Sequence, residues 1–257
     1  MSGDSEGVEA ARAAVAANSV WYHTIELAPG VVTPGYTDWR KVVERILPDD
    51  LSGKRCLDIG TFDGFWAFEM ERRGAEVVAI DVEKIDDAEW PPHRREQLKR
   101  EQDEAGVELG RGFEIASRAL GSRVRRVICP YYELTAEAIG GPVDLIFSGA
   151  ILLHLRDPVR GLERARAALA PAGVMRALEP ISTRLTLLSR GRPAASFEPL
   201  TTPFNWWVPN LAGIDAWFQV AGFERAVRPT FVRPGGHPSM RERFAALTYR
   251  PAGEASR

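Results

Sequence analysis

An open α/β fold is expected from this sequence, with a mostly parallel, seven-stranded sheet finished by an antiparallel edge hairpin. Three observations predict it. Short apolar runs alternate with helical segments from residue 54 onward. A glycine-rich turn, LDIGTFDGF (57–65), joins the first run to its helix. The last two runs have no helix between them. Strands that are apolar throughout, alternating with helices, belong to a parallel sheet covered on both faces.

The elements follow in order. Val8 to Ala17 is made of strong helix formers and reads as a short helix. VWYHTIELAPGVVTPGYTDW (20–39) mixes aromatics with Pro and Gly and reads as an ordered loop. Asp38 to Leu47 is expected to be a helix, capped by Asp38 and stopped by Pro48. KRCLDIG (54–60) is the first strand and FWAFEMERRG (65–74) a helix closed by Gly74. EVVAIDV (76–82), VRRVICP (124–130) and VDLIFSG (143–149) are the next strands. PVRGLERARAALAPAG (158–173) is a helix ending at Gly173, and VMRALEP (174–180) the fifth strand. GIDAWFQVAG (213–222) is a helix, after which FERAVRPTFV (223–232) and RFAALTYR (243–250) form the closing hairpin.

Two stretches exceed this alternation. Residues 85–122 contain the charge run HRREQLKREQDE (93–104), expected to be a solvated helix face. Residues 181–209 run into PFNWWVPN (203–210), and insertions of that length in a compact domain form caps or binding loops. The domain reading is a helical and aromatic lid over 1–48 and one ligand-binding domain over 49–257 that carries both insertions.

With 257 residues, 45% of them apolar, the chain can bury one substantial core. A net charge of −2 gives no general basic field for nucleic acid. The opening MSGDSEGVEAARAAVAANSV has neither a basic start nor a long apolar run, so no signal peptide is expected, and no stretch reaches the ~20 apolar residues of a membrane span. Cys56 and Cys129 fall in core strands, which argues against a disulfide framework or a metal site and for a reducing cytoplasm.

The turn itself narrows the ligand. A dinucleotide fingerprint needs glycines at 60, 62 and 65, but Phe62 and Phe65 stand at two of these and obstruct a pyrophosphate. No Gly-Lys-Ser/Thr follows, which removes a Walker loop. Asp58 at the strand end can accept from an ammonium group. Asp81 lies 21 positions after Gly60, the spacing at which a carboxylate takes ribose hydroxyls. An adenosine carrying an amino acid, S-adenosylmethionine, satisfies both; its product would be S-adenosylhomocysteine.

CLDIGTFDGFWAFEMERRGAEVVAIDV (56–82) is similar to motifs I and II of class I S-adenosylmethionine-dependent methyltransferases, and 143–180 resembles the fourth strand, helix and fifth strand of their Rossmann-like fold. FSGAILLHLRDP (147–158) and Trp39-Arg40-Lys41 resemble, more narrowly, the tRNA wobble-uridine carboxymethyltransferase-like family. The position before His154, a tyrosine in those tRNA enzymes, is Leu153 here, which favours ordinary methyl transfer over carboxymethyl transfer.

Cofactor-binding residues expected from the turn and the resemblance are Asp58, Gly60, Thr61, Phe62, Asp81 and Val82. The resemblance adds Tyr132 and Glu133 beside the adenine, with Tyr131 as the rival to Tyr132. It also implies Ser148 and Gly149 at the methionine end, with Tyr36 and Trp39 as aromatic neighbours of the sulfonium, while Tyr22 is expected to close over the methionine end from the lid. Tyr36 and Trp39 read equally as core.

His154, just past the fourth strand at the ligand rim, is the catalytic base candidate or else a structural imidazole. Glu179 is its partner or a substrate anchor. His23 joins the site from the lid or plugs the N-terminal segment down. Asn205, Trp206, Trp207 and Asn210 are expected to roof a substrate pocket, because adjacent tryptophans on a strand point to opposite sides. The function this implies is methyl transfer (EC 2.1.1) to an O, N or C atom of a small, partly apolar metabolite. A tRNA wobble-uridine methyltransferase and a non-catalytic S-adenosylmethionine-binding protein are the rivals. The oligomeric state is open, a homo-oligomer included.

Overall fold

The computed structural model describes residues 2–237 and 243–253. The N-terminal part holds α1 (Ser2–Ala16) and three short strands, β1 (Glu26–Ala28), β2 (Val31–Val32) and β3 (Thr37–Asp38). Then follow β4 (Arg55–Ile59), α2 (Phe65–Arg72), β5 (Glu76–Asp81), α3 (Pro92–Ala105), α4 (Arg111–Leu120), β6 (Arg125–Ile128) and β7 (Val143–Gly149). The second half contains α5 (Pro158–Ala168), β8 (Leu169–Pro180), α6 (Thr183–Leu188), β9 (Ala195–Phe197), β10 (Trp207–Pro209) and α7 (Leu211–Val220). It closes with β11 (Phe223–Arg225), β12 (Thr230–Val232), β13 (Gly235–Gly236) and β14 (Phe244–Pro251).

The main sheet runs β6-β5-β4-β7-β8-β14-β11, with β12 also on β14. Strands β4 to β8 are parallel neighbours, whereas β14 lies antiparallel between β8 and the β11/β12 pair. The expected seven strand positions are therefore present, and the outermost is filled by two short strands. Pro229 explains the break: it has no N–H for the ladder, so pairing stops after Arg225 and resumes at Thr230.

Alternation along each strand sends side chains to two cores. Cys56, Phe147, Leu145 and Leu178 meet α2, α4 and the N-terminal segment through Trp66, Phe113, Trp21 and Ile46. Leu57, Ile59, Ile146, Met175 and Ala177 meet α5 and α7 through Leu162, Ala165, Ile214 and Phe218. Each fully buried Leu, Ile or Phe contributes about 1.5–3 kcal/mol. Residues 21–47 supply Trp21, Ile25, Leu27, Trp39, Val43 and Leu47 to the first of these cores.

Three expectations are corrected. Residues 38–47 do not form a helix; only the 3-10 turn Val43–Arg45 is helical. Asp38 is held extended by pairing with Gly235, its carboxylate takes the Arg40 amide and guanidinium, and the β-branched pair Val42-Val43 adds little helix preference. The 158–173 helix stops at Ala168, and Gly173 lies inside β8, where a Cβ would sit 2.9 Å from the Val143 carbonyl oxygen. The aromatic segment 20–39 is not plain loop but carries β1, β2 and β3. The charge run of α3 is solvated as expected, with Leu98 its buried hydrophobe. Among the described residues no helix is long and apolar enough to cross a membrane.

Candidate functional site

In an open parallel sheet, ligands bind beyond the carboxyl ends of the strands where the strand order reverses. Here that point is β4/β7, since β5 and β6 extend to one side of β4 and β8 to the other. Two loops face each other across it. In the first, the Gly60 and Thr61 amides donate to the Ile80 carbonyl at 2.9 and 3.2 Å, and the Phe62 amide donates to Asp81 Oδ2 at 2.7 Å. In the second, Ile151 covers Gly60 so closely that a Cβ there would lie 2.2 Å from its Cδ1. Each loop tip holds a non-glycine residue at positive φ, Phe62 at 49° and Ala150 at 54°. Such conformations cost about 1–3 kcal/mol apiece and concentrate at ligand sites.

Buried polar atoms without a partner mark the crevice. Asp58 Oδ2, Thr61 Oγ1, Ser148 Oγ and Tyr131 OH are all of this kind. None meets full hydrogen-bond geometry, although Thr61 lies against Asp58 and Ser148 against Tyr131, so each buried pair keeps hydrogen-bonding capacity for an external group. Burial pushes the Asp58 carboxyl up to about 7, against the opposing influence of the Thr61 hydroxyl and His23. Burial also raises Asp81, opposed by the Phe62 and Val82 amides that its two oxygens accept. A carboxylate beside the Thr61 hydroxyl fits the ammonium and carboxylate of an amino-acid ligand. Asp81 keeps lone pairs for a ribose. Gly149 and Val82 lie half-buried at the same rim.

Sequence reasoning missed Asp63, although it sits in the quoted turn. Its carboxylate accepts the Tyr22 amide at 2.9 Å and the His23 amide at 2.7 Å, and it bonds His23 Nδ1. His23 is thereby clamped, buried and stacked on Phe65 at 5.5 Å. Of the two places expected for His23, the plug that holds the N-terminal segment down is the one its contacts describe: its Nδ1 latches that segment onto the turn. An aromatic row continues over the rim, with Tyr22 against Phe62 at 5.6 Å, Tyr36 on Tyr22 at 6.3 Å and His237 on Tyr36 at 4.9 Å. Trp39 does not join it. Only 3% exposed, it packs on Trp66 and Phe244 in the core, the second of the two readings expected for it.

On the β6 side, Tyr132 is half-buried, its hydroxyl accepts the Asp157 amide at 2.8 Å, and Arg160 lies over its ring. Glu133 beside it is exposed, whereas Tyr131 is buried.

The opposite side is differently furnished. Glu179 Oε1 accepts the Ile151 and Leu152 amides, each at 3.0 Å, and burial raises its carboxyl to about 8. It thus holds the β7 loop by its backbone; no hydrogen bond joins it to His154. His154 Nδ1 lies 3.0 Å from the Phe204 carbonyl, and burial lowers its pKa. A carbonyl can only accept, so Nδ1 carries the proton and the neutral ring keeps Nε2 as an acceptor.

The two insertions meet above this loop. Trp206 donates from its ring to the Glu89 carbonyl and from its amide to Leu153 O at 2.8 Å, and Trp90 packs edge-on against Phe204 at 5.0 Å. Trp206 is buried beneath Arg156, Trp207 is half-buried and donates to the Arg156 carbonyl at 3.1 Å, and Asn205 is half-buried. Asn210 is the last correction. Fully buried, it caps α7 through the Gly213 amide, accepts from Ala194 and donates to Ser189 and Arg192, so its amide has no place in a substrate pocket.

The methyltransferase domain family model matches residues 35–227. A tRNA U34 carboxymethyltransferase of Idiomarina loihiensis is 23% identical over 199 residues, 73% of this chain and 52% of that protein. The chain thus spans about half the length of the curated tRNA relatives it matches. A magnesium-protoporphyrin O-methyltransferase of Rhodobacter capsulatus is 45% identical over 51 residues, 20% of this chain and 23% of that one. Among solved structures, Burkholderia thailandensis 1,6-didemethyltoxoflavin-N1-methyltransferase, with bound 1,6-didemethyltoxoflavin and S-adenosylhomocysteine, superposes with a TM-score of 0.54 at 18% identity. It covers 79% of this chain and 72% of its own. That likeness is one of fold.

Proposed function

This chain belongs to the methyltransferase domain family, and we propose that it moves a methyl group from S-adenosylmethionine to an O, N or C atom of a small, partly apolar acceptor. One observation carries the reading: at the switch point the glycine turn buries the Asp58 and Thr61 side chains together with hydrogen-bonding capacity to spare, and Asp81 beside it holds the Phe62 amide. S-adenosylmethionine, when bound, supplies a methyl group already activated on sulfur. Asp58 holds the ammonium, Thr61 and Ser148 the carboxylate, Asp81 the ribose, and Tyr132 with Glu133 borders the adenine.

The protein's work is then alignment and exclusion of water, and alignment accounts for several kcal/mol of barrier. The lid over residues 1–48, through Tyr22 and Tyr36, covers the methionine end. His154, neutral and with Nδ1 fixed, takes the acceptor proton at Nε2. Glu179 positions His154 through the backbone of the β7 loop. Trp206, Trp207 and Asn205 roof the acceptor. The short similarity to the protoporphyrin enzyme supports a ring-bearing acceptor. Buried Cys56, its thiol raised to about 12, and buried Cys129 support a cytoplasmic setting.

Mass spectrometry of the purified protein should find S-adenosylmethionine or S-adenosylhomocysteine, and labelled donor with a metabolite extract should yield a labelled small product. Replacing His154 by Gln should lower turnover about 10²–10⁴-fold and leave donor affinity intact. Donor binding without any transfer would instead make the chain a binding protein.

The tRNA relatives favour a second reading, transfer to a wobble uridine. The basic run of α3, its natural phosphate patch, is partly neutralised: Lys99 pairs with Asp86 at 2.9 Å and Arg95 donates to the Ala88 carbonyl. Steeply salt-dependent tRNA binding with methyl transfer to it would establish this reading and displace the first.

A further inference from the structure

Away from the rim, the break in the outer strand opens a cavity of about 220 Å³. Its walls are Arg45 and Ile46 from the N-terminal turn, Arg176 on β8, Val227, Arg228 and Thr230 at the break, and Thr248 on β14. Three arginines and two threonines are among its lining residues, and among the described residues no acidic one is. Arginine stays charged in proteins, so the concentration of positive charge is permanent.

None of the three arginines enters an ion pair among the described residues. Arg176 donates to the Ile46 carbonyl and Arg45 to the Phe231 carbonyl at 3.1 Å, which uses one donor of each five-donor fork. Arg176 Nε is buried with no partner, and burial depresses that guanidinium's pKa with no acid nearby to restore it. A desolvated cation without a counter-charge is among the least favourable buried arrangements, and an anion resolves it.

The cavity is separate from the methyl-transfer rim. Arg176 precedes Glu179 by three positions on β8, about 10 Å along the strand, and points to the opposite face of the sheet. Its volume is below the ~300 Å³ at which drug-sized ligand pockets begin, so it suits a small anion or one terminal group.

We propose that this pocket binds a phosphate group, with Arg176 as the fork from inside, Arg45 and Arg228 closing from outside, and the Thr230 and Thr248 hydroxyls on the remaining oxygens. A phosphate has oxygens in four directions and up to two negative charges, which matches a cluster drawn from four separate elements better than a planar carboxylate does.

Melting of the full chain is followed with inorganic phosphate, with glycerol phosphate and with sodium chloride at equal ionic strength. Phosphate should raise the Tm saturably where chloride does not. Tighter saturation by the ester identifies the terminal group of a larger ligand; equal or weaker saturation identifies the free anion. Arg228→Gln, at an exposed position, should weaken phosphate binding roughly tenfold to a hundredfold, and Arg176→Met should abolish it. Donor affinity should not change in the Arg228 variant. Melting that follows ionic strength alone, or an Arg228 variant that responds to phosphate like the parent, overturns the proposal.

Discussion

Two buried carboxylates, Asp58 at the end of β4 and Glu179 near the end of β8, stand at the same edge of the sheet and differ in what they hold. Each is 1% exposed, and burial raises the pKa of both. Glu179 is engaged by two loop amides of its own chain, whereas Asp58 keeps an oxygen with no partner. The difference recurs across the site. The β4 side has Thr61 and Ser148 hydroxyls left over, and the cap side has Asn210, Trp206 and Trp207 tied to protein backbone. One half is arranged for a ligand of fixed chemistry, and the other half is arranged to hold its own loops in place. Under the proposed function a cofactor site and an acceptor roof would differ in this way: the cofactor brings the same polar groups in every turnover, while the roof offers mainly shape.

The comparison is broken most severely through Asp63, the carboxylate of the β4 side that is engaged by the protein. Asp63→Ala leaves the Tyr22 amide, the His23 amide and His23 Nδ1 without their acceptor in a buried setting. At about 1–3 kcal/mol for each unmet donor, a loss of about 4–6 kcal/mol is expected in urea denaturation. Limited proteolysis should open the segment between Asn18 and Tyr36 first. Loss of donor binding with unchanged stability would mean that Asp63 serves the ligand instead of the lid.

Glu179→Gln sharpens the other half. The folded state keeps the Glu179 proton up to about pH 8, whereas the unfolded chain releases it near 4.5. The parent's stability is therefore full below about 4.5 and declines as pH rises through about 8. A glutamine oxygen still accepts the Ile151 and Leu152 amides and carries no titrating proton. Denaturation at a series of pH values should show the decline in the parent and not in the variant, with a gap on the order of 3–5 kcal/mol at the alkaline end. Parallel curves would mean that the carboxylate is ionised throughout.

These contrasts map onto what the sequence made legible. The strand, turn and helix of residues 54–82 are set by near neighbours, and their apolar runs, glycines and carboxylates could be read directly. The proposed cofactor half was legible for the same reason, because its carboxylates Asp58 and Asp81 lie within that stretch. What failed or stayed open depended on distant partners. Asp38 is extended because Gly235 pairs with it, and Trp39 is core because Phe244 packs on it. Asn210 is structural because the loop through Ser189 and Arg192 folds back over it. The meeting of the two insertions at Glu89 and Trp206 left no local trace at all. Asp63 differs, since the signal was present: a second acidic residue inside the turn, hidden by attention to the glycines around it.

The smallest and most specific effect is expected at Asp58 itself. With its carboxyl raised to about 7, the empty site is about half protonated at neutral pH. An ammonium placed beside it favours the carboxylate, so donor binding should release a proton near pH 7, and affinity should weaken as pH falls below that value. Calorimetry in two buffers of different ionisation enthalpy reads the proton directly. Asp58→Asn keeps the shape and removes the charge. It should weaken S-adenosylhomocysteine binding by roughly tenfold to a hundredfold and abolish the proton release. The empty variant should be no less stable than the parent, because above pH 7 the parent bears a buried charge that the amide lacks. A destabilised variant that still binds its ligand with full affinity would place Asp58 with Glu179, as a group serving the fold, and the contrast between the two carboxylates would be lost.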